Sequence, residues 1–200
     1  QTFEFRNSQA FGRYRIEFHP TMTPSAEHVK KKRHPETFSV AEISIGRTPQ
    51  ASLSSYRRGL NIEDALDFVT YERNGTQYSR EYFCSYPDKV MVLRLTADKP
   101  GQYNGCVTLR DAHGSDTEST GSRLRFSGAL QDNGLRYEAQ LQVLNDGGKI
   151  AARDGMVFFD GADNLTFVMA AGTDYVPDMT KNWRGEHPQG KVAQRIDRAV

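Results

Sequence analysis

No stretch of this chain approaches the roughly 18 consecutive apolar residues that a membrane-spanning helix requires; the longest lies near Leu165 to Ala171. No secretory leader is read ahead of Gln1, so a soluble chain is expected. Cysteine is scarce. Cys84 and Cys106 are too few for a disulfide-stapled scaffold and lack the Cys-x-x-Cys spacing of zinc or redox sites. Both fall in predicted strands, where a cross-link is geometrically open, but free buried thiols packed as small apolar residues are the expectation. An excess of one charge is absent too, since 26 Lys and Arg stand against 25 Asp and Glu. No overall field therefore selects nucleic acid or anionic lipid as a partner. The five histidines, His19, His28, His34, His113 and His187, are dispersed without the i, i+4 pairing or Cys neighbours of zinc sites. They are expected to be exposed, and neither a metal nor any other cofactor is implied. Lys30-Lys31-Lys32-Arg33-His34 has no interleaved aromatics and lies between prolines, so it reads as a solvated loop rather than a nucleic-acid patch.

What the chain does have is strand periodicity. Val69 and Tyr71 alternate with Thr70 and Glu72, and Asn74-Gly75 supplies the two positive-φ residues of a type I′ turn. Tyr78, Arg80 and Tyr82 then alternate with Ser79, Glu81 and Phe83. Pro87-Asp88 breaks the chain, Val90, Val92 and Arg94 alternate with Met91, Leu93 and Leu95, and Lys99-Pro100-Gly101 closes a third strand. This block is an antiparallel meander. Before it, strands are predicted at Gly12 to Phe18 and Phe38 to Ile45, followed by a Ser-rich loop that ends at Tyr56. After it come Tyr103 to Arg110, Arg123 to Leu130, Leu135 to Leu144, a short pair over Lys149 to Phe159, and Asn164 to Ala170, with turns at Asp132-Asn133-Gly134 and Asp146-Gly147-Gly148. Roughly ten short strands spaced by turn signals mean an all-β antiparallel sandwich. Only 188–200 has helical spacing, with Val192, Ile196 and Ala199 on one side.

Three sets of residues carry a resemblance. They are Tyr56-Arg57-Arg58-Gly59-Leu60 with Asn61, Ile62 and Ala65; Gly75, Tyr78, Arg80, Glu81, Phe83, Ser85, Pro87-Asp88, Val90, Val92 and Arg94-Leu95; and Leu135-Arg136-Tyr137-Glu138 through Ala170-Ala171-Gly172-Thr173-Asp174-Tyr175. Together they resemble the N-terminal β-sandwich domain of glycoside hydrolase family 95, the α-L-fucosidases and some α-galactosidases that remove terminal sugars by inversion. The resemblance implies a sandwich of the super-sandwich type over 1–187, incomplete at its N-terminus because the family's "LPLGNG" pattern is absent. It also implies that 188–200 starts a linker helix toward an (α/α)6 catalytic barrel not included in this sequence. The implied partners are that catalytic domain and the parent's glycan substrate. The parent is expected in the periplasm or outside the cell, and the chain alone is not expected to catalyse.

Glycoside hydrolysis needs two carboxyl groups at a defined separation, one of them kept protonated. Asp174, Asp178 and Glu186 cluster near the C-terminus, but Lys181 and Arg184 lie among them, so a solvated, mutually neutralising face is expected and no catalytic residue is assigned. Arg80 and Glu81 are adjacent on a strand and point to opposite faces, so each is expected to pair across the sheet. The loop from Gly172 to Gly190 holds the chain's only tryptophan, Trp183, beside Tyr175 and Arg184. Aromatic faces flanked by hydrogen-bonding groups are how proteins hold sugars, which makes Trp183, Tyr175 and Arg184 candidate substrate-binding residues. The competing reading of the same Trp is an anchor that packs the tail onto the sandwich or a neighbouring domain. Three readings therefore stand side by side: a non-catalytic domain of a fucosidase-like hydrolase, a free-standing carbohydrate-binding or adhesive module, and a degenerate, inactive homologue.

Overall fold

A computed structural model describes residues 2–5, 41–45 and 53–200 of the chain. The nine-residue run after the Ser-rich segment is the first long element, β3 (Leu53–Asn61), which pairs on one side with β1 (Thr2–Phe5) and on the other with β4 (Leu66–Arg73). The serine-rich sequence predicts a loop up to Tyr56. The structure instead extends the strand through a register shift between Ser54 and Arg57, with Ser55 at φ 55°, a bulge that lets a serine-rich sequence continue a sheet. The predicted meander follows as β4, β5 (Thr76–Ser85) and β6 (Val90–Ala97). Asn74 and Gly75 take φ 54° and 68° between the paired residues Arg73 and Thr76, the two-residue turn that their composition demands.

The chain then leaves this sheet for β7 (Tyr103–Arg110), which pairs with β2 (Ala41–Ile45). It returns through β8 (Glu118–Thr120), β9 (Arg123–Ala129) and β10 (Arg136–Asp146). It crosses again to form β11 (Lys149–Arg153) and β12 (Met156–Ala162), and ends in β13 (Asn164–Thr173). The result is a nine-stranded sheet ordered β1-β3-β4-β5-β6-β13-β10-β9-β8 against a four-stranded sheet ordered β11-β12-β7-β2, antiparallel throughout. The fold is the all-β sandwich that the spacing of strands and turns implies. Gly12 to Phe18, and the part of the Phe38 to Ile45 strand before Ala41, lie outside the described residues.

Period-2 alternation sorts side chains between the sheets and the outside. Leu93, Leu95, Leu124, Phe126, Ala139, Leu141, Val143, Leu165 and Phe167 from the large sheet meet Val107, Leu109, Val157 and Phe159 from the small one, all nearly or fully buried. Each such side chain contributes about 1.5–3 kcal/mol through loss of apolar surface from water. Neither cysteine joins this core. Cys84 is exposed on the large sheet, Cys106 is half-buried on the small one, and both are free. The buried thiols expected from the sequence are not observed: Cys106 alternates with the buried Val107 and so takes the other face of β7, and Cys84 lies near the exposed end of β5.

One helix, α1 (Gln189–Ala199), sits where the apolar spacing placed it. Val192 and Ile196 are buried against Val90, Val168 and Ala170 on the outer face of the large sheet, with Ala199 packed beside them. The helix lies back on its own sandwich. Gly172 beneath it suits the close approach, since a Cβ there would come 3.2 Å from the Val192 side chain, which would have to shift slightly. Among the described residues no helix is long and apolar enough to cross a membrane.

The turn between β10 and β11 is expected to be the least tolerant of substitution. At Gly148, φ is +61°, and an added Cβ would strike the Asp160 carbonyl and lie 2.5 Å from the Ala162 amide nitrogen, whereas Gly134, at φ +70°, faces open space. Gly134→Ala should cost about 1 kcal/mol of urea-unfolding stability from the left-handed backbone alone, and Gly148→Ala about 2–4 kcal/mol. Equal costs would show that the steric contact does not matter.

Candidate functional site

The C-terminal turn that follows β13 is built around one carboxylate. Asp174 is 2% exposed. It accepts a hydrogen bond from Arg136 Nε at 2.7 Å and from the Arg136 backbone amide at 3.0 Å, while Arg184 Nε lies 3.9 Å away. Arg136 also donates to the Gly185 carbonyl at 2.9 Å, and the Gly185 amide donates to the Asp174 carbonyl at 2.6 Å. The solvated face expected for Asp174 is thus overturned: Arg136 is 38 residues earlier in the chain and reaches it because β10 and β13 are sheet neighbours. Asp178 and Lys181 do form the expected exposed pair, at 3.5 Å. Asp178 also accepts hydrogen bonds from the Thr180 side chain and amide, capping a single 3-10 turn at Met179–Lys181. The bond from the Thr180 side chain outweighs slight burial and holds its carboxyl below the ordinary range. Glu186 is exposed.

From this base the turn presents two aromatic rings. Tyr175 and Arg184 pair as an isolated antiparallel bridge, the Val176 amide donates to the Trp183 carbonyl, and the Trp183 amide donates to the Asp178 carbonyl at 3.0 Å. Asn182 and Trp183 both take left-handed backbone, at φ 55° and 60°. That conformation brings the indole beside Tyr175 with centroids 6.3 Å apart and ring planes within 2° of parallel. Tyr175 is 55% exposed and Trp183 44%. Arg184 donates to the Asn133 carbonyl at 2.7 Å, tying the turn to the loop before β10. The three residues singled out by sequence are therefore together, with Arg184 serving the frame and the two rings facing solvent.

A second polar group escaped sequence reading. Glu138, Gln140 and Gln142 alternate along β10 as a solvated face would, yet all three are buried. Glu138 accepts a hydrogen bond from Gln140 at 2.6 Å, and Arg125 Nη1 and His187 Nδ1 each stand 3.9 Å from one of its oxygens. Its Oε2 has no hydrogen-bond partner. His187 is half-buried, not exposed as expected, and contacts Ser127 at 3.3 Å; His113 is exposed against the Tyr137 ring. The signal for this row was the amphipathic spacing of 188–200, because a helix with one apolar side needs a sheet face to cover.

A third cluster lies on the inner face of β4 and β5. Arg80 donates to the Tyr71 hydroxyl at 3.1 Å and sits over its ring, which stacks on Tyr78 at 5.0 Å. This is the cross-strand pairing expected of Arg80, with Glu81 opposite Arg94 on the other face. Burial pushes the Tyr82 and Tyr103 hydroxyls up, and it raises the Asp67 carboxyl against the lowering effect of Arg58. Among the described residues no group of three or more His, Cys, Asp or Glu side chains is placed to hold a metal ion.

The profile of the family described as "Glycosyl hydrolase family 65, N-terminal domain" matches residues 17–178. "Alpha-L-fucosidase 2" of Arabidopsis thaliana is 25% identical over 147 residues, covering 61% of this chain and 17% of its own length. "Probable alpha-fucosidase A" of Aspergillus niger is 24% identical over 173 residues, covering 80% of this chain and 22% of its own. The chain thus spans about a fifth of the length of these relatives. Among solved structures, a "Putative kojibiose phosphorylase from human microbiome" superposes over 75% of this chain and 23% of its own, with a TM-score of 0.51 at 7% identity, a likeness of fold.

Replacing the buried carboxylate tests whether it organises the turn. Arg136 is 43% exposed, so solvent softens the loss, and Asp174→Asn should lower unfolding stability by about 1–3 kcal/mol. The emission anisotropy of the single tryptophan should fall as the turn loosens. An unchanged anisotropy would show that the frame does not depend on the charge.

Proposed function

Because the chain belongs to the family of glycosyl hydrolase family 65 N-terminal domains, we propose that it is the non-catalytic N-terminal domain of an α-L-fucosidase-like glycoside hydrolase, of the family 95 type. Residues 1–187 form the sandwich, and α1 begins the linker to an (α/α)6 catalytic barrel. The domain packs on that barrel and supports it. The parent removes terminal fucose, or galactose, by inversion, with a carboxylic acid protonating the leaving oxygen while a second carboxylate activates water. It is exported to the periplasm or the cell exterior.

One observation carries this reading: neither carboxylate that the described fold buries is open to a substrate. Asp174 is locked between Arg136 and the backbone, and Glu138 is sealed beneath the tail. An acid–base pair needs both groups open to the substrate with room between them, and neither residue is open. The fucosidase names of the relatives support the substrate class. Phe83 and Leu144, 40% and 38% exposed on the sheet face that α1 leaves uncovered, support a packed neighbour. A second reading, a free-standing glycan-binding module, is favoured by the exposed parallel rings of Tyr175 and Trp183.

Fucose release from a fucosylated milk oligosaccharide separates the two when the chain and the natural full-length polypeptide are assayed together. Release by the long form alone is expected. Release by the 200-residue chain would overturn the non-catalytic role, and silence in both would favour the binding module.

A further inference from the structure

We infer that the parallel Tyr175–Trp183 pair is a binding surface for a neutral pyranose, stacking on the C–H face of a sugar. The inference rests on the reading of this chain as part of a glycan-processing protein, and it adds a site to that reading.

Three features of the turn point to a ligand. The first is geometry. The two rings stack with planes within 2° of parallel and centroids 6.3 Å apart, and both keep about half of their surface in water, which leaves aromatic surface open for a sugar to stack on. A packing anchor would bury its indole. Trp183 instead contacts Tyr175, itself exposed, and neither belongs to the packed clusters of the sandwich or of α1.

The second is backbone conformation. Left-handed φ is uncommon for a bulky residue and persists only where the surroundings hold it. Trp183 is held at 60° by its amide bond to the Asp178 carbonyl, by its carbonyl bond from the Val176 amide, and by the Asp174–Arg136–Gly185 frame below. Gly185 is part of this frame, because a Cβ there would fall 2.8 Å from the Val176 side chain. The rings are thus set in place before any ligand arrives, which lowers the entropy lost on binding.

The third is charge. The cations of the turn are already engaged: Arg136 by Asp174, Arg184 by the Asn133 carbonyl and Asp174, and Lys181 by Asp178. With each of these cations paired to an oxygen acceptor, the turn favours an uncharged sugar over a carboxylate or sulfate. Its hydroxyls face the exposed polar rim of the turn, including Asn182.

Trp183 is the only tryptophan in the chain, so its emission reports on this site alone. Titrating the 200-residue chain with fucosyllactose should produce a saturable change in emission in the millimolar range, with glucuronate giving none. Tyr175→Ala should weaken binding by about tenfold or more. Trp183→Gly suits the left-handed backbone, so it should abolish binding by calorimetry while leaving Tm unchanged or raised. A fall in Tm for Trp183→Gly would identify a packing anchor and overturn the site. So would unchanged emission with sugar together with a shift only when the catalytic domain is attached, which would assign the rings to a domain contact. Binding is read here without hydrolysis. An inactive long form whose sandwich still binds sugar would therefore refute only the fucosidase reading, and an active long form whose sandwich ignores sugar would refute only this site.

Discussion

Burying both faces of one strand is the constraint on which the rest of this structure depends. Along β10, Tyr137, Ala139, Leu141 and Val143 point into the sandwich, while Glu138, Gln140 and Gln142 point the other way and are also buried. A strand covered on one side needs only apolar residues there, but a polar row covered on the other must find partners or incur desolvation at each group. The partners come from neighbouring strands and from the tail: Arg123 donates to Gln142, Gln140 donates to Glu138, and Arg125 and His187 flank Glu138. Helix α1 lies over this face because Val192 and Ile196 have an apolar strip, Val90, Val168 and Ala170, immediately beside the polar row.

The same strand organises the candidate site. Arg136 begins β10 and fixes Asp174 at the end of β13, and from Asp174 the frame reaches Gly185 and, through Arg184, Asn133. Tyr175 and Trp183 are exposed not because the turn is loose but because everything else in it is occupied. A hydrogen-bonded base lies under the two solvent-facing rings and holds Trp183 in a backbone region that suits glycine.

The local rules were legible in the sequence and the distant pairings were not. Alternation over 66–97, the Asn74-Gly75 turn and the helical spacing near the C-terminus all follow from neighbours within a few residues, and the structure has each of them. Strand β3 was hidden because its serines look like a loop and its bulge breaks the alternation. The role of Asp174 was hidden for another reason: local charge balance with Lys181 and Arg184 implied solvation, while its actual partner comes from a strand brought alongside by the sheet. The polar row of β10 imitated a wet face for the same reason, since only the fold reveals the cover. That Tyr175, Trp183 and Arg184 share one turn follows from their closeness in the chain, whereas the frame that Asp174 and Arg136 build beneath them does not.

The order of strands in the large sheet has a consequence for how the molecule is made. Of the described strands β13 is the last to leave the ribosome, yet it lies in the middle, between β6 and β10. Until residue 173 has emerged, the halves built from β3–β6 and β8–β10 present two open edges with no strand between them, and neither α1 nor its apolar strip is in place. Such a sheet closes late, through contacts distant in sequence, and closes slowly. During synthesis those bare edges are templates for pairing with other chains, so the vulnerable period of this protein is its nascent one.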